Sequence, residues 1–221
     1  MPTGELDRYL VIADPRLFCR TTSEVLGVTG VGVTLLGGAR LVGQIGASDD
    51  VAVGLEWAEF ALGEGPRAVA ASSGSPVLEG DMTDAERRYP IFAPAARRLG
   101  ANATFTFPIA MAGSVFATLS LYNAVSGDLS DVQVMCASLL ADVALPMLLA
   151  STTTDGAGDI PDGLSYVGID RQDVHIATGF VSNQLHISIA DALGALRARA
   201  WAANQPLSEV CAAVIERRTR L

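Results

Sequence analysis

The chain has 221 residues, half of them hydrophobic and only 18% charged, which gives it material for a sizeable core and sets it apart from a disordered tail. The formal net charge is −9, and all fifteen basic residues are Arg. Charge is uneven along the chain, −7 over residues 1–150, −3 over 151–169 and +1 over 170–221, so an acidic body repels nucleic acid and leaves any such contact to the last segment.

In chain order, Asp14-Pro15 starts a helix whose apolar side is Leu17, Phe18, Thr21, Val25 and Leu26. Glycines 27, 30 and 32 end it and open a strand through Val31, Val33 and Leu35. These glycines precede a strand instead of following one, which excludes a dinucleotide-binding fingerprint. Gly37-Gly38-Ala39-Arg40 reads as a tight turn and Leu41 to Ala47 as a second strand. Asp50 to Leu62 reads as a helix with Val51, Leu55, Ala58 and Leu62 along one side, and Gly63-Glu64-Gly65-Pro66 as a loop. Ser75 to Leu78 is a short strand, with Pro76 at its start or edge. A helix over Tyr89–Leu99, strands over Ala103–Ala110 and Val115–Tyr122, and a turn at Met111–Ser114 follow. Ser130 and Gln133 make a capping box for a long helix from Asp131 to about Ala150, with Val132, Met135, Leu139, Leu140, Val143 and Met147 expected inward. Asp142 and Pro146 interrupt that stretch, which reads as a packed helix and no membrane span. The order predicts an α+β domain over residues 1–150, an antiparallel sheet with helices on its faces.

Residues 151–169 are rich in Thr, Gly, Asp and Pro and read as a linker. Residues 170–221 parse into three short helices. The first carries Val174, Ala177, Val181 and Leu185 on one face. Ser188 with Asp191 caps the second, whose face is Ala192, Leu196 and Ala200 with Leu193 beside it. Pro206 suits the first position of the third, which carries Leu207, Val210, Cys211 and Val214. Three such stripes bury one another in an all-α three-helix bundle.

The run Ala177-Thr178-Gly179, Ala192, Leu196-Arg197, Ala200, Pro206-Leu207, Val210 and Val214 resembles an ANTAR domain, a family of RNA-binding output modules of bacterial transcription antiterminators. Where that family usually has a basic residue in the first-helix Ala-x-Gly step, this chain has Thr178. Gly32-Val33-Thr34-Leu35-Leu36, Leu62-Gly63-Glu64-Gly65-Pro66, Pro76-Val77-Leu78, Arg88-Tyr89-Pro90 and Leu119-Ser120-Leu121-Tyr122 resemble a GAF domain of the kind joined to ANTAR domains in actinobacteria. The resemblance implies a sensor pocket between sheet and helices, or a domain that serves only for dimerisation.

Candidate ligand-binding residues are Trp57, Phe60, Phe92 and Phe107 as an apolar lining and Arg88 as a partner for an anion such as a cyclic nucleotide. Candidate RNA contacts are Arg197, Arg199 and Trp201 on the second helix of the bundle and Arg217 and Arg218 at the end of the third. A packed α-helical bundle recognises RNA through loops and unstacked bases, since the A-form major groove is too narrow to read. The expected partners are a structured hairpin leader RNA, an unidentified small molecule and a second copy of the chain, paired through the helices at Leu17–Leu26 and Val132–Met147.

Cys19, Cys136 and Cys211 lie far apart and form no C-x-x-C pair, so no metal site or cofactor is expected. The odd cysteine count, with no basic-then-apolar leader in MPTGELDRYL, fits a reducing cytoplasm. There is no G-x-S-x-G, Walker A or H-E-x-x-H motif, so the expectation is no catalysis. Three other readings stand beside the antitermination regulator: a ligand-sensing protein-interaction module whose RNA binding is lost, a redox enzyme on the GAF fold, and a DNA-binding three-helix unit.

Overall fold

The structure, a computed structural model, describes residues 14–36, 43–111, 113–152 and 171–216. Two compact units make up the chain: residues 1–59 with 64–168, and residues 169–221 with 60–63. The turn expected at 37–40 and residues 153–169 of the linker expected over 151–169 lie outside the described residues, while residues 151 and 152 are helical.

In the first unit, α1 (Pro15–Leu26) starts where the Asp14 carboxylate accepts from the backbone N–H groups of Arg16 at 2.9 Å and Leu17 at 3.3 Å. These are two of the donors that a helix start leaves orphaned. Gly27, at φ 64°, ends it in a left-handed cap. The buried face is Phe18, Cys19, Thr22 and Leu26, while Leu17 and Val25 are exposed. Of the face expected to pack inward, Phe18 and Leu26 do so and Leu17 and Val25 do not, so the helix is rotated part of the way round.

Five strands follow: β1 (Gly30–Leu35), β2 (Gln44–Ala47), β3 (Val77–Glu79), β4 (Ala103–Met111) and β5 (Ser114–Asn123). They pair antiparallel in the order β2-β1-β5-β4-β3. Edge strand β3 begins right after Pro76, which lacks the N–H a central strand would need.

Side chains alternate across a pleated strand, and here the alternation divides the sheet chemically. Val31, Val33, Ile45, Phe105, Phe107, Ile109, Ala117 and Leu119 pack with Phe18, Cys19 and Leu26 of α1 and with α5 (Asp131–Thr152) in one apolar core. The intervening positions, Thr34, Gln44, Thr104, Thr106 and Thr118, are polar and equally buried.

Helix α5 contacts the core through Ala137, Ala141, Ala144 and Leu148. Val132, Met135, Leu139 and Val143, expected inward, are exposed. A helix apolar on most of its circumference has no single face that periodicity can choose. The small alanines won the sheet because they let the helix approach closely. Its capping box forms as expected: Ser130 N–H donates to Gln133 Oε1 at 2.9 Å, and Gln133 N–H donates to Ser130 Oγ at 3.3 Å.

The polar face is covered by α2 (Asp50–Leu62) and α3 (Pro66–Ser73), with α4 (Phe92–Arg98) alongside. Helix α3 lies just past the expected loop, in residues to which no element was assigned; Pro66 at its first turn starts it.

In the second unit, α6 (Gln172–Leu185), α7 (Ile189–Ala203) and α8 (Leu207–Ile215) pack pairwise. Their buried positions are Val174, Ala177, Thr178 and Val181, then Ala192, Leu193, Leu196 and Ala200, then Leu207, Val210, Cys211 and Val214. Leu185 is exposed instead of sharing the first stripe. His186 and Asn204 turn the chain between helices at φ 54° and 51°. Ser188 caps α7, its Oγ accepting from Asp191 N–H at 3.1 Å. Pro206 stands one position before the helix, as its N-cap. Among the described residues no helix is long and apolar enough to cross a membrane.

Candidate functional site

A cavity of about 30 Å³ lies between the polar sheet face and helices α2 and α3, with room for about two waters or a headgroup of similar size. The strands contribute Gly32, Thr34, Gln44, Thr104, Ser120 and Tyr122; the helices contribute Leu55, Glu56, Glu59, Arg67 and Phe92.

The loop Gly63-Glu64-Gly65-Pro66 sets up this wall residue by residue. Gly65, at φ 154°, leaves space that a Cβ would take from Glu59, whose Cδ would lie 2.5 Å away. The Glu64 carboxylate accepts from the N–H groups of Ile91 at 2.8 Å and Phe92 at 2.9 Å, which fixes the start of α4 and holds Phe92 against the cavity. Pro66 opens α3 and brings Arg67 under Glu56 and Glu59, one turn apart on α2.

These three form a buried charge cluster. Arg67 Nη1 donates to Glu56 Oε1 at 2.6 Å, and Arg67 Nε lies 3.7 Å from Glu59 Oε2. The backbone N–H of Arg67 also donates to Glu59 Oε2, at 3.0 Å. Burial pushes the Glu59 carboxyl up to about 7; Arg67 opposes the rise and Glu56 adds to it. Burial pulls the Arg67 guanidinium down, but the two carboxylates more than offset it, and its pKa is raised.

On the sheet side, Gln44 is 3% exposed. Its Nε2 donates to the Ala52 carbonyl at 3.2 Å, and no described protein group donates to its Oε1. A Cβ on Gly32 would lie 2.5 Å from Gln44 Nε2, so the glycine makes space for this amide. Tyr122 donates its hydroxyl to Asp49 Oδ1 at 3.1 Å; burial, then Asp49, raises its pKa.

Of the residues expected to bind a ligand, Phe92 lines the cavity. Phe107 lies in the apolar core on the opposite sheet face. Trp57 and Phe60 sit on α2 but are not part of the lining. Arg88 is largely exposed and pairs with Glu79, so it is turned away from the cavity. Arg97 pairs with Glu86 at the surface. The groups that do converge, Thr34, Gln44, Glu56, Glu59 and Arg67, were missed. Their signal was legible as polar residues at every second position of strands too apolar to be surface, which marks a sheet with a buried polar face.

On the bundle, Arg199 and Trp201 are exposed, Trp201 at 67%, and Arg197 is half-buried. Arg217 and Arg218 lie outside the described residues. Thr178 is buried and donates its hydroxyl to the Val174 carbonyl at 2.6 Å. Among the described residues no group of His, Cys, Asp and Glu is arranged to hold a metal.

No family model and no curated protein matches the chain. Solved structures do. The GAF domain of the phosphoenolpyruvate-protein phosphotransferase of Acinetobacter matches at 14% identity and a TM-score of 0.51, covering 71% of this chain and 99% of that one. The cyanobacteriochrome TePixJ GAF domain matches at 17% identity and a TM-score of 0.50, covering 63% of this chain and 89% of that one. The sheet order and these likenesses give the first unit a GAF fold.

Proposed function

We propose that this chain is a cytoplasmic two-part regulator: a GAF sensor unit that takes a small molecule and pairs with a second copy, and a helical unit of ANTAR type that binds a structured leader RNA. By holding a hairpin of that leader, it prevents a terminator from forming and lets transcription continue. The sensor half is supported by the cavity with its buried polar and charged wall, a costly arrangement for a fold that has nothing to recognise.

The observation that carries the RNA half is the agreement between motif and packing. The apolar positions of the ANTAR-like run form the bundle core, which leaves Arg199 and Trp201 at the surface. An arginine and an indole suit unstacked loop bases and phosphates. Pairing is supported by the exposed stripe Val132, Met135, Leu139 and Val143 on α5. Two bundles on one dimer would make the second of two hairpin contacts intramolecular.

A second reading, a protein-interaction module without RNA binding, is favoured by one observation. Ile176, Phe180 and Ile189, as well as Trp201, are large apolar side chains exposed on the helical unit. Redox catalysis has less support. Cys19 and Cys136 lie on α1 and α5, against the sheet face opposite the cavity, and burial pushes the Cys19 thiol up to about 12, away from the thiolate that reacts.

A gel shift of the full chain with hairpin leader RNAs, across a salt series, tests the proposal. Binding that weakens with salt is the expected result. No binding to any hairpin at low salt gives the field to the protein-interaction reading.

A further inference from the structure

We propose that the GAF cavity takes a small organic cation with N–H donors, an amidinium or a primary ammonium, seated between Gln44 Oε1 and the carboxylates of α2. The inference rests on the sensor reading above and narrows it.

The amide of Gln44 is the first warrant. Its Nε2 faces the Ala52 carbonyl, which can only accept, so the orientation of the amide is fixed and the oxygen is the atom left over. That oxygen is buried, belongs to a residue lining the cavity, and receives no hydrogen bond from the described protein. What it calls for is a donor.

Charge is the second warrant. The wall carries two carboxylates against one guanidinium. That guanidinium is already engaged by both, at 2.6 and 3.7 Å. Among the described lining residues, the one cation an anion would meet is therefore already in use, and it lies beside two carboxyl groups. Arg88, expected to partner an anion, and Arg97 are paired with Glu79 and Glu86 outside the cavity. A cation's N–H groups answer the orphan acceptor and face the carboxyl groups of α2, while Ala52, Leu55 and Phe92 supply contact for its carbon. The cavity of about 30 Å³ limits the headgroup to a few heavy atoms.

Thermal melting of the full chain in acetamidinium or methylammonium chloride, against sodium chloride and sodium acetate at equal ionic strength, tests this. Saturable stabilisation by one of the cations is expected, a rise of about 3–6 °C at ten times its Kd. Gln44→Leu abolishes the rise and Glu59→Gln weakens it. If Gln44→Leu melts as the parent does and still responds fully, the assignment is overturned. If acetate or a cyclic nucleotide stabilises and the cations do not, the cavity remains a sensor but the cation assignment falls. If nothing stabilises, both fall. Should Gln44→Leu not fold, ¹⁵N NMR of the parent decides: acetamidinium must shift the Gln44 side-chain amide and the Gly32 N–H, and shifts confined to other regions overturn the proposal.

Discussion

Arg67 holds Glu59 twice, once through its own backbone N–H at 3.0 Å and once through its guanidinium at 3.7 Å. Even so, burial lifts the Glu59 carboxyl from 4.5 to about 7. An acid whose pKa is raised by folding contributes stability that is full below its unfolded value and lost as pH rises through its folded one. Glu59 therefore favours the fold near pH 4.5 and burdens it above pH 7. Glu59→Gln keeps an acceptor for the Arg67 N–H and removes the titration. Between pH 4.5 and 8 the stability of the variant relative to the parent should rise by about 3 kcal/mol, measured by urea unfolding at each pH. Equal pH profiles for the two proteins would show that Glu59 is solvated. Arg67→Ala, which removes the guanidinium from between two buried carboxyl groups, should cost about 3–5 kcal/mol and more at pH 8 than at pH 5.

How much of this was legible in the sequence depended on whether one interaction or a competition decided the outcome. Local signals carried through. The Ser130–Gln133 box, the Gly27 cap and the apolar stripes of the bundle each need only a few neighbouring residues, and each formed, Leu185 apart. The five-strand sheet followed because its strands are separated by strong turn signals. Facing was harder. Helix α5 has two apolar sides, and nothing local says that Ala137, Ala141 and Ala144 go to the sheet while Met135 and Leu139 go out. The site was missed for a related reason. Aromatic residues look like a pocket lining, but Phe107 alternates onto the core side of β4, and Thr104, Gln44 and Thr34 carry the cavity side. The pairing of Arg67 with Glu56 and Glu59 depended on α3, a helix hidden behind the Gly-Glu-Gly-Pro loop.

The capping box itself makes a local prediction. Ser130 Oγ accepts from Gln133 N–H and also donates to Gln133 Oε1 at 2.9 Å, while Gln133 Nε2 donates to the Leu26 carbonyl at 2.8 Å. Ser130→Ala should cost about 1 kcal/mol. Gln133→Ala should cost more, since it also releases the end of α1. Urea unfolding of the two variants checks the order, and a larger loss from Ser130→Ala would show that the link to Leu26 contributes nothing.

The exposed stripe on α5 predicts the state of assembly. Val132, Met135, Leu139 and Val143 recur at three- and four-residue steps, at 64%, 58%, 57% and 46% exposure. Such a stripe, on a helix whose other side already serves the core, suits a helix-to-helix seam with a second copy. Leu139→Glu places like charges across a two-fold seam. Sedimentation should show a dimer for the parent and a monomer for the variant, with the melting of the GAF unit little changed. A monomeric parent at high micromolar concentration would remove the basis for paired RNA recognition.

For the RNA contact, Arg199 is a cleaner test than Arg197. Arg199 is exposed on α7, so its loss should leave the bundle intact, whereas Arg197 is half-buried and its substitution reads packing as well as binding. Arg199→Ala should weaken binding to a hairpin leader by a similar factor across sequences, and reduce the slope of log K against log salt by about 0.7 for one lost single-strand phosphate contact. Trp201→Ala removes an indole that is 67% exposed and stands apart from the core. If it stacks on a loop base, the loss should be about 1–3 kcal/mol with the salt slope unchanged. The two variants thus separate charge from stacking in one titration series. A Trp201→Ala protein that binds RNA as the parent does, yet no longer captures a protein partner, would assign the indole to a protein contact. Thr178 enters the same comparison from the other side. It is buried and bonded to the Val174 carbonyl, so Thr178→Lys should destabilise the bundle rather than restore a basic contact. A Thr178→Lys bundle that keeps its melting temperature and gains RNA affinity would place that position at the surface of the complex.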